Sequence, residues 1–172
     1  MRRLLLSVLA IFLMAPSLAF GQSEGERRLD VIDISGPLDD QAVAFISDTI
    51  LEVAERGAEV VVIQLDSPGV VADEDIWNEL VELVAAPPVP VVAWIGPAPA
   101  VAYGGALGLA VVAQATLAAP GVEIGYAQPG FIGRGDEAAA QATTLADTVL
   151  TVSEPVEGMI DDVAPSIQQL IA

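Results

Sequence analysis

The feature that most constrains the fold is an uncharged stretch that covers residues 83–122. It is long enough for a membrane-spanning helix, for which residues 101–119 are the best candidate. Prolines nevertheless divide the stretch into pieces the length of a strand or a short helix: Pro88, Pro90, Pro97, Pro99 and Pro120. Because alternating strands and helices flank these pieces, we predict a buried core and not a membrane span.

Periodicity predicts regular elements on both sides of this stretch. Runs rich in β-branched residues at 28–34 and 59–65 predict strands, and a third strand is predicted at 91–95. Residues 40–56 and 73–85 place apolar side chains at helical spacing behind acidic residues that suit helix N-termini. The predicted apolar sides include Phe45 in the first helix and Ile76 in the second.

The remaining elements are shorter. We predict a small-residue helix at 100–113, strands at 116–119 and 124–127, an irregular loop at 129–135, a helix from 136 to about 150 and a final helical turn at 167–171. The alternation of strands and helices predicts an α/β fold with a mostly parallel sheet and right-handed crossovers.

Residues 1–21 have the composition of a secretory signal peptide. Arg2 and Arg3 precede an apolar run, and small residues place the cleavage site before Gln22. Pro16 makes the apolar run short for a membrane span. We therefore predict export to the periplasm or the extracellular space, with retention of the segment as a membrane anchor as the alternative.

The chain is strongly acidic, with 24 Asp and Glu residues against six arginines and a formal net charge of −18. Such a charge repels nucleic acid, so no nucleic-acid partner is expected. Cysteine is absent, and stability must therefore come from packing. The acidic triplet Asp73, Glu74 and Asp75 suits a helix N-terminus better than a calcium site, so no metal is expected.

The side chains present exclude most kinds of catalytic centre. The sequence contains no histidine, cysteine or lysine, which excludes Ser–His, Ser–Lys and Cys–His pairs, Schiff bases and zinc bound by thiolate or imidazole. Carboxylates, Tyr103 and Tyr126 remain as acid–base groups. Residues 104–108 lack the spacing and the lysine of a phosphate loop, so no cofactor is expected. Ser67 is the strongest candidate hydroxyl, although a turn residue fits its position better.

Three segments resemble the NfeD branch of the ClpP-class serine proteases, within the ClpP/crotonase superfamily. Residues 66–69 (DSPG) follow a strand and are similar to the superfamily's (D/N)-(T/S)-P-G-G turn. Residues 90–108 (PVVAWIGPAPAVAYGGALG) and 117–129 (LAAPGVEIGYAQP) are similar to the branch's P-V-V strand, its P-x-G-A-x-A-A-S-A-G segment and its M-A-P-G-T-x-I-G-A-A-x-P segment. The resemblance extends through the tail and covers residues 29–172. It implies a single domain with a ClpP/crotonase-like spiral of βα units.

The resemblance also implies that the catalytic dyad of the family is missing. The family's nucleophilic serine falls on Gly104, or on Tyr103 after a shift of one residue, and its lysine base has no counterpart. The second glycine of the P-G-G turn becomes Val70. The implied vestigial pocket consists of Asp66, Ser67, Pro68, Gly69, Val70, Tyr103, Gly104 and Gly105.

We therefore expect an inactive domain whose groove binds a hydrophobic peptide or a protein partner of the cell envelope or membrane. An active hydrolase centred on Ser67 or on an acidic group is one alternative. A crotonase-like acyl-thioester site could use two backbone donors, but export disfavours it because coenzyme A substrates are intracellular. A structural assembly unit is a further alternative, since the superfamily commonly forms homo-oligomers.

Overall fold

The computed structural model describes residues 29–127 and 136–170. The strands are β1 (Leu29–Ser35), β2 (Val60–Asp66), β3 (Val91–Ile95), β4 (Val101–Tyr103), β5 (Ala115–Ala118), β6 (Glu123–Gly125), β7 (Val149–Thr151) and β8 (Asp162–Val163). The helices are α1 (Asp40–Glu55), α2 (Glu74–Ala85), α3 (Gly105–Val112), α4 (Asp136–Leu145) and α5 (Ile167–Leu170). The predicted signal peptide at 1–21 and the predicted loop at 129–135 lie outside the described residues.

The larger sheet is parallel throughout and has the strand order β1-β2-β3-β5-β8. Because the strand numbers increase steadily across the sheet, successive right-handed crossovers place their helices on the same face. On that face α1 packs against α2, and α2 packs against α3. The predicted α/β architecture with a mostly parallel sheet is confirmed.

The first helix shows how the sequence sets an element. The Asp39 carboxylate caps α1 by accepting the backbone N–H of Ala42 at 2.9 Å, and Gly57 ends the helix with a φ of 76°. The buried side of α1 is formed by Val43, Ile46, Ile50 and Val53.

Two apolar side chains that were predicted to face the core lie at the surface. Phe45 is 53% exposed and Ile76 is 38% exposed. Each precedes the residue that takes the core position, namely Ile46 in α1 and Trp77 in α2. A step of one residue turns a helix by about 100°, so both predictions about these side chains were wrong.

The uncharged stretch supplies much of the buried core, as predicted. Within it, all residues of α3 from Gly105 to Val111 are buried. The predicted helix at 100–113 was wrong at its start, because Ala102 pairs with Ile124 of β6 and bridges to Ser67. Among the described residues no helix is both long and apolar enough to cross a membrane.

A smaller sheet covers the start of α3 with the order β4-β6-β7. β4 is parallel to β6, and β6 is antiparallel to β7. The helix predicted from residue 136 to about 150 ends at Leu145, because Val149 and Thr151 pair with Gly125 and Glu123. This sheet carries the residues that close one side of the candidate site.

Candidate functional site

The candidate site lies where two turns meet at the carboxyl edge of the larger sheet. The first turn follows β2, and the second joins β4 to α3. The Ser67 N–H donates to the Val101 carbonyl at 2.7 Å, and the Tyr103 N–H donates to the Ser67 carbonyl at 3.1 Å. The Asp66 carboxylate accepts the Val101 N–H at 2.9 Å. These three bonds fix the two turns against each other.

Ser67 is fully buried, with 0% of its surface exposed. Its hydroxyl donates to the Gly69 carbonyl at 3.1 Å, and the same oxygen lies 3.3 Å from the Gly69 nitrogen, which donates to it. A hydroxyl that bonds the backbone two residues further on is a device that stabilises a turn. In this position Ser67 has no access to the cleft described below.

The second turn has the backbone conformation of a sharp strand-to-helix junction. Gly104 adopts φ 57° and ψ −124° directly before the first residue of α3. Residues with side chains rarely adopt this region, and strained turns of this type hold the nucleophile of α/β-hydrolases. The Gly104 N–H donates to the Gly125 carbonyl at 3.0 Å, which anchors the turn to β6.

Val70 and Gly105 are in close contact across the two turns. A Cβ atom placed on Gly105 would lie 2.7 Å from Cγ2 of Val70 and 3.4 Å from Cζ2 of Trp77. A methyl group at this point therefore requires Val70 to move. The valine after the DSPG segment and the glycine at the start of α3 are thus matched in size.

Between the turns is an open cleft of about 440 Å³. It is lined by Pro68, Gly69, Val70, Ala72, Glu74, Trp77, Tyr103, Gly104, Gly105 and Tyr126. Asp66 and Ser67 support the cleft from behind, whereas the other six residues of the implied pocket line it.

Four of the lining residues were not predicted from the sequence to belong to the pocket: Ala72, Glu74, Trp77 and Tyr126. Glu74 and Trp77 belong to the first turn of α2, and nothing in the helical pattern indicates that this turn reaches the second glycine-rich junction. Tyr126 directly follows β6. Its position after Ile124 and Gly125 was the one sequence feature that could have indicated its place in the cleft.

Two tyrosines form one corner of the cleft. The Tyr103 and Tyr126 rings meet edge to face, with centroids 5.3 Å apart and an interplanar angle of 84°. The Tyr103 hydroxyl donates to Oε2 of Glu123 at 2.6 Å. This hydrogen bond is the main cause that raises the pKa of Tyr103 to about 12, with burial and the negative charge of Glu123 adding to it. Tyr103 therefore stays protonated at neutral pH and cannot act as a base there.

Two aspartates near the site bind backbone N–H groups at the starts of helices. Asp73 accepts the Asp75 N–H at 3.0 Å at the start of α2, and Asp40 accepts the Asp73 N–H at 2.8 Å, which links the starts of α1 and α2. Within residues 29–127 and 136–170 no group of three potential ligands from His, Cys, Asp and Glu is arranged to hold a metal ion.

A second cavity, of about 730 Å³, is lined by side chains of β1, β2, β3 and β5 and by residues around β8. The side chains from the strands are largely apolar and include Leu29, Val60 and Val92. No residue of the implied pocket lines it.

Solved structures with this fold include proteases and hydratases. The 1510-N membrane-bound stomatin-specific protease, a lysine-to-alanine mutant in complex with a substrate peptide, matches with a TM-score of 0.75 at 20% identity, over 86% of this chain and 80% of that chain. The 1510-N membrane protease specific for a stomatin homolog from Pyrococcus horikoshii matches with 0.70 at 26% identity, over 85% of this chain and 78% of that chain. An enoyl-CoA hydratase from Thermoplasma volcanium matches with 0.65 at 19% identity, over 83% and 71%.

These matches define the class of fold. The chain has the fold of the ClpP/crotonase superfamily, in the NfeD-like form of the membrane-bound proteases. No family model matches the sequence, and no curated protein does so either. The expected ClpP/crotonase-like spiral of βα units is confirmed.

Proposed function

We propose that this chain is an exported NfeD-like domain that binds an extended apolar peptide segment in the cleft without cleaving it. The observation that carries the proposal is Gly104. Its backbone has the conformation of a nucleophile-bearing turn, and it faces the cleft, but it carries no side chain that could attack a peptide bond.

The other groups at the site do not replace a catalytic pair. The Ser67 hydroxyl is buried and bonded to Gly69, and Tyr103 stays protonated because it donates to Glu123. The sequence supplies no lysine, histidine or cysteine as base or nucleophile. These features weigh against the active hydrolase centred on Ser67.

The cleft is suited to an extended peptide. Apolar side chains of Pro68, Val70 and Trp77 form part of its wall, and the first N–H groups of α3 have no acceptor within that helix. A bound peptide could place a carbonyl at these donors and apolar side chains along the wall. The hydrogen bonds of Asp66 and Ser67 hold the two turns beside the cleft in place.

Export and membrane association are part of the proposal. Export is supported by the signal-like composition of residues 1–21. Association with a membrane partner is supported by the two protease structures with this fold that are described as membrane-bound or as a membrane protease.

The binding proposal is tested by fluorescence anisotropy of a labelled, extended apolar peptide titrated with the purified protein. We expect saturable binding that Ala72→Trp weakens at least tenfold, because the indole fills the cleft. Ala85→Trp is the matched control, since Ala85 is exposed at the far end of α2. Absence of saturable binding, or equal loss in both variants, would overturn the proposal.

A further inference from the structure

The tyrosine corner of the cleft has features that the proposed peptide binding does not by itself explain. The backbone of Tyr126 has a φ of 48°, and among the described residues no other non-glycine residue has a positive φ. Its N–H donates to the Thr148 carbonyl at 3.1 Å, which holds this conformation. Tyr126 is 50% exposed and lines the cleft. The fold therefore keeps a large aromatic surface open at the cleft.

The Tyr103 ring, which contacts Tyr126, is held in place by a hydrogen bond and is electron-rich. Tyr103 donates its hydroxyl proton to Glu123 at 2.6 Å, and a phenol that donates to a carboxylate gains electron density in its ring. Tyr103 and Tyr126 meet at nearly a right angle, so the corner presents aromatic surface in two directions. The faces of such rings attract cations.

Acidic side chains lie near this corner, and no basic side chain lies near it among residues 29–127 and 136–170. Glu74 lines the cleft, and the carboxylates that cap α1 and α2 lie at the same edge of the sheet. Among the described residues Arg56 is the one basic side chain, and it lies beyond the far end of α1, 3.8 Å from Glu52. A cleft lined by one sign of charge concentrates ligands of the opposite sign.

We propose that the tyrosine corner, together with the Glu74 carboxylate in the lining of the same cleft, binds the cationic side chain of a lysine or arginine in the bound peptide. The inference rests on the proposed function and specifies its ligand as an apolar segment with one basic residue. The aromatic faces and the Glu74 carboxylate both favour a cation. An acidic side chain at the same peptide position would meet like charge and be rejected.

The test uses three labelled peptides that differ at one position, which carries lysine, norleucine or glutamate. Norleucine keeps the aliphatic stem of lysine and removes its charge. We expect the lysine peptide to bind about tenfold more tightly than the norleucine peptide at low salt, and the glutamate peptide to bind most weakly. The ratio of lysine to norleucine affinities should fall at high salt, because the cleft is open to solvent.

Substitutions at this corner test whether the cationic side chain binds there. Tyr126→Leu and Glu74→Gln should each lower the ratio of lysine-peptide to norleucine-peptide affinity several-fold. Glu55→Gln, an exposed acid at the far end of α1, should leave the preference unchanged. Thermal unfolding of each variant verifies that it is folded.

The outcomes separate the two proposals. Equal binding of the lysine and norleucine peptides, or a preference that survives both corner variants, would overturn this inference and leave peptide binding intact. If none of the three peptides binds, the proposed function fails and the inference fails with it.

Discussion

At the scale of single residues, the cleft depends on side chains that face away from it. Asp66 accepts the Val101 N–H, and Ser67 bonds both the N–H and the carbonyl of Gly69. Both side chains satisfy backbone groups that would otherwise be left unpaired in a partly buried turn. The DSPG segment is therefore a structural part of the site, whatever ligand the cleft holds.

The contact between Val70 and Gly105 gives a prediction about stability. Gly105→Ala should lower the free energy of unfolding by about 1–3 kcal/mol, because the new methyl group would lie 2.7 Å from Cγ2 of Val70. Val70→Ala removes the obstructing atoms, so the double variant should lose less than the sum of the two single variants. Urea denaturation of all four proteins measures this coupling, and strict additivity would contradict the account.

The hydrogen bond from Tyr103 to Glu123 gives a prediction about pH. Tyr103→Phe should lower the free energy of unfolding by about 1–2 kcal/mol at pH 7, because a hydrogen bond to a charged acceptor is lost. The folded state raises the pKa of Tyr103 from 10.0 to about 12, so it favours the protonated form. This stabilisation is complete below pH 10 and disappears as the pH rises to about 12.

The difference in stability between the parent protein and Tyr103→Phe should therefore narrow over that pH range. Chemical denaturation at neutral pH and at several pH values between 10 and 12 measures it. A difference that stays constant across the range would show that the phenol does not titrate as described.

At the scale of elements, local signals predicted those segments whose structure is decided locally. The bounds of β3 match the prediction. β2 is displaced by one residue at both ends, and β1, α1 and α2 each differ from the prediction by one residue at one described end. Capping acids, a terminal glycine and clear periodicity mark these elements in the sequence. Phe45 and Ile76 were misplaced because apolar residues adjacent to a complete apolar stripe fit the pattern nearly as well.

The elements that were missed depend on distant partners. β4 is a strand because Ala102 pairs with Ile124 and bridges to Ser67, and β7 is a strand because it pairs with β6. Alanine-rich segments beside both strands favour helix, and the tertiary pairing decides where those helices begin or end. The same holds for the site: the DSPG and glycine turns could be predicted from the sequence, whereas the positions of Glu74 and Trp77 in the cleft could not.

The cap of α1 allows a test at this scale. Asp39→Ala should lower the free energy of unfolding by about 1 kcal/mol, because the Ala42 N–H loses its acceptor. Asp48→Ala, an exposed position within the same helix, serves as the matched control and should change stability much less. Equal losses from both substitutions would contradict the assigned cap.

At the scale of the whole molecule, the chain has a fold similar to that of proteases, but its sequence contains no histidine, cysteine or lysine. The NfeD-like framework and the cleft at the edge of the sheet are present, and the turn next to the cleft has glycine where a nucleophile could stand. The strong acidity of the chain affects which ligands approach this cleft. Together these features support binding as the function of the cleft.

The most direct test of this account is a mass spectrometric measurement on a mixed library of apolar peptides. The purified protein is incubated with the library, and both retained peptides and new peptide termini are identified, with an active protease of this fold as the positive control. Ala72→Trp shows which retention depends on the cleft. We predict retained, intact peptides and no new termini. New termini that persist after repurification of the protein would contradict the proposal that the cleft binds peptides without cleaving them.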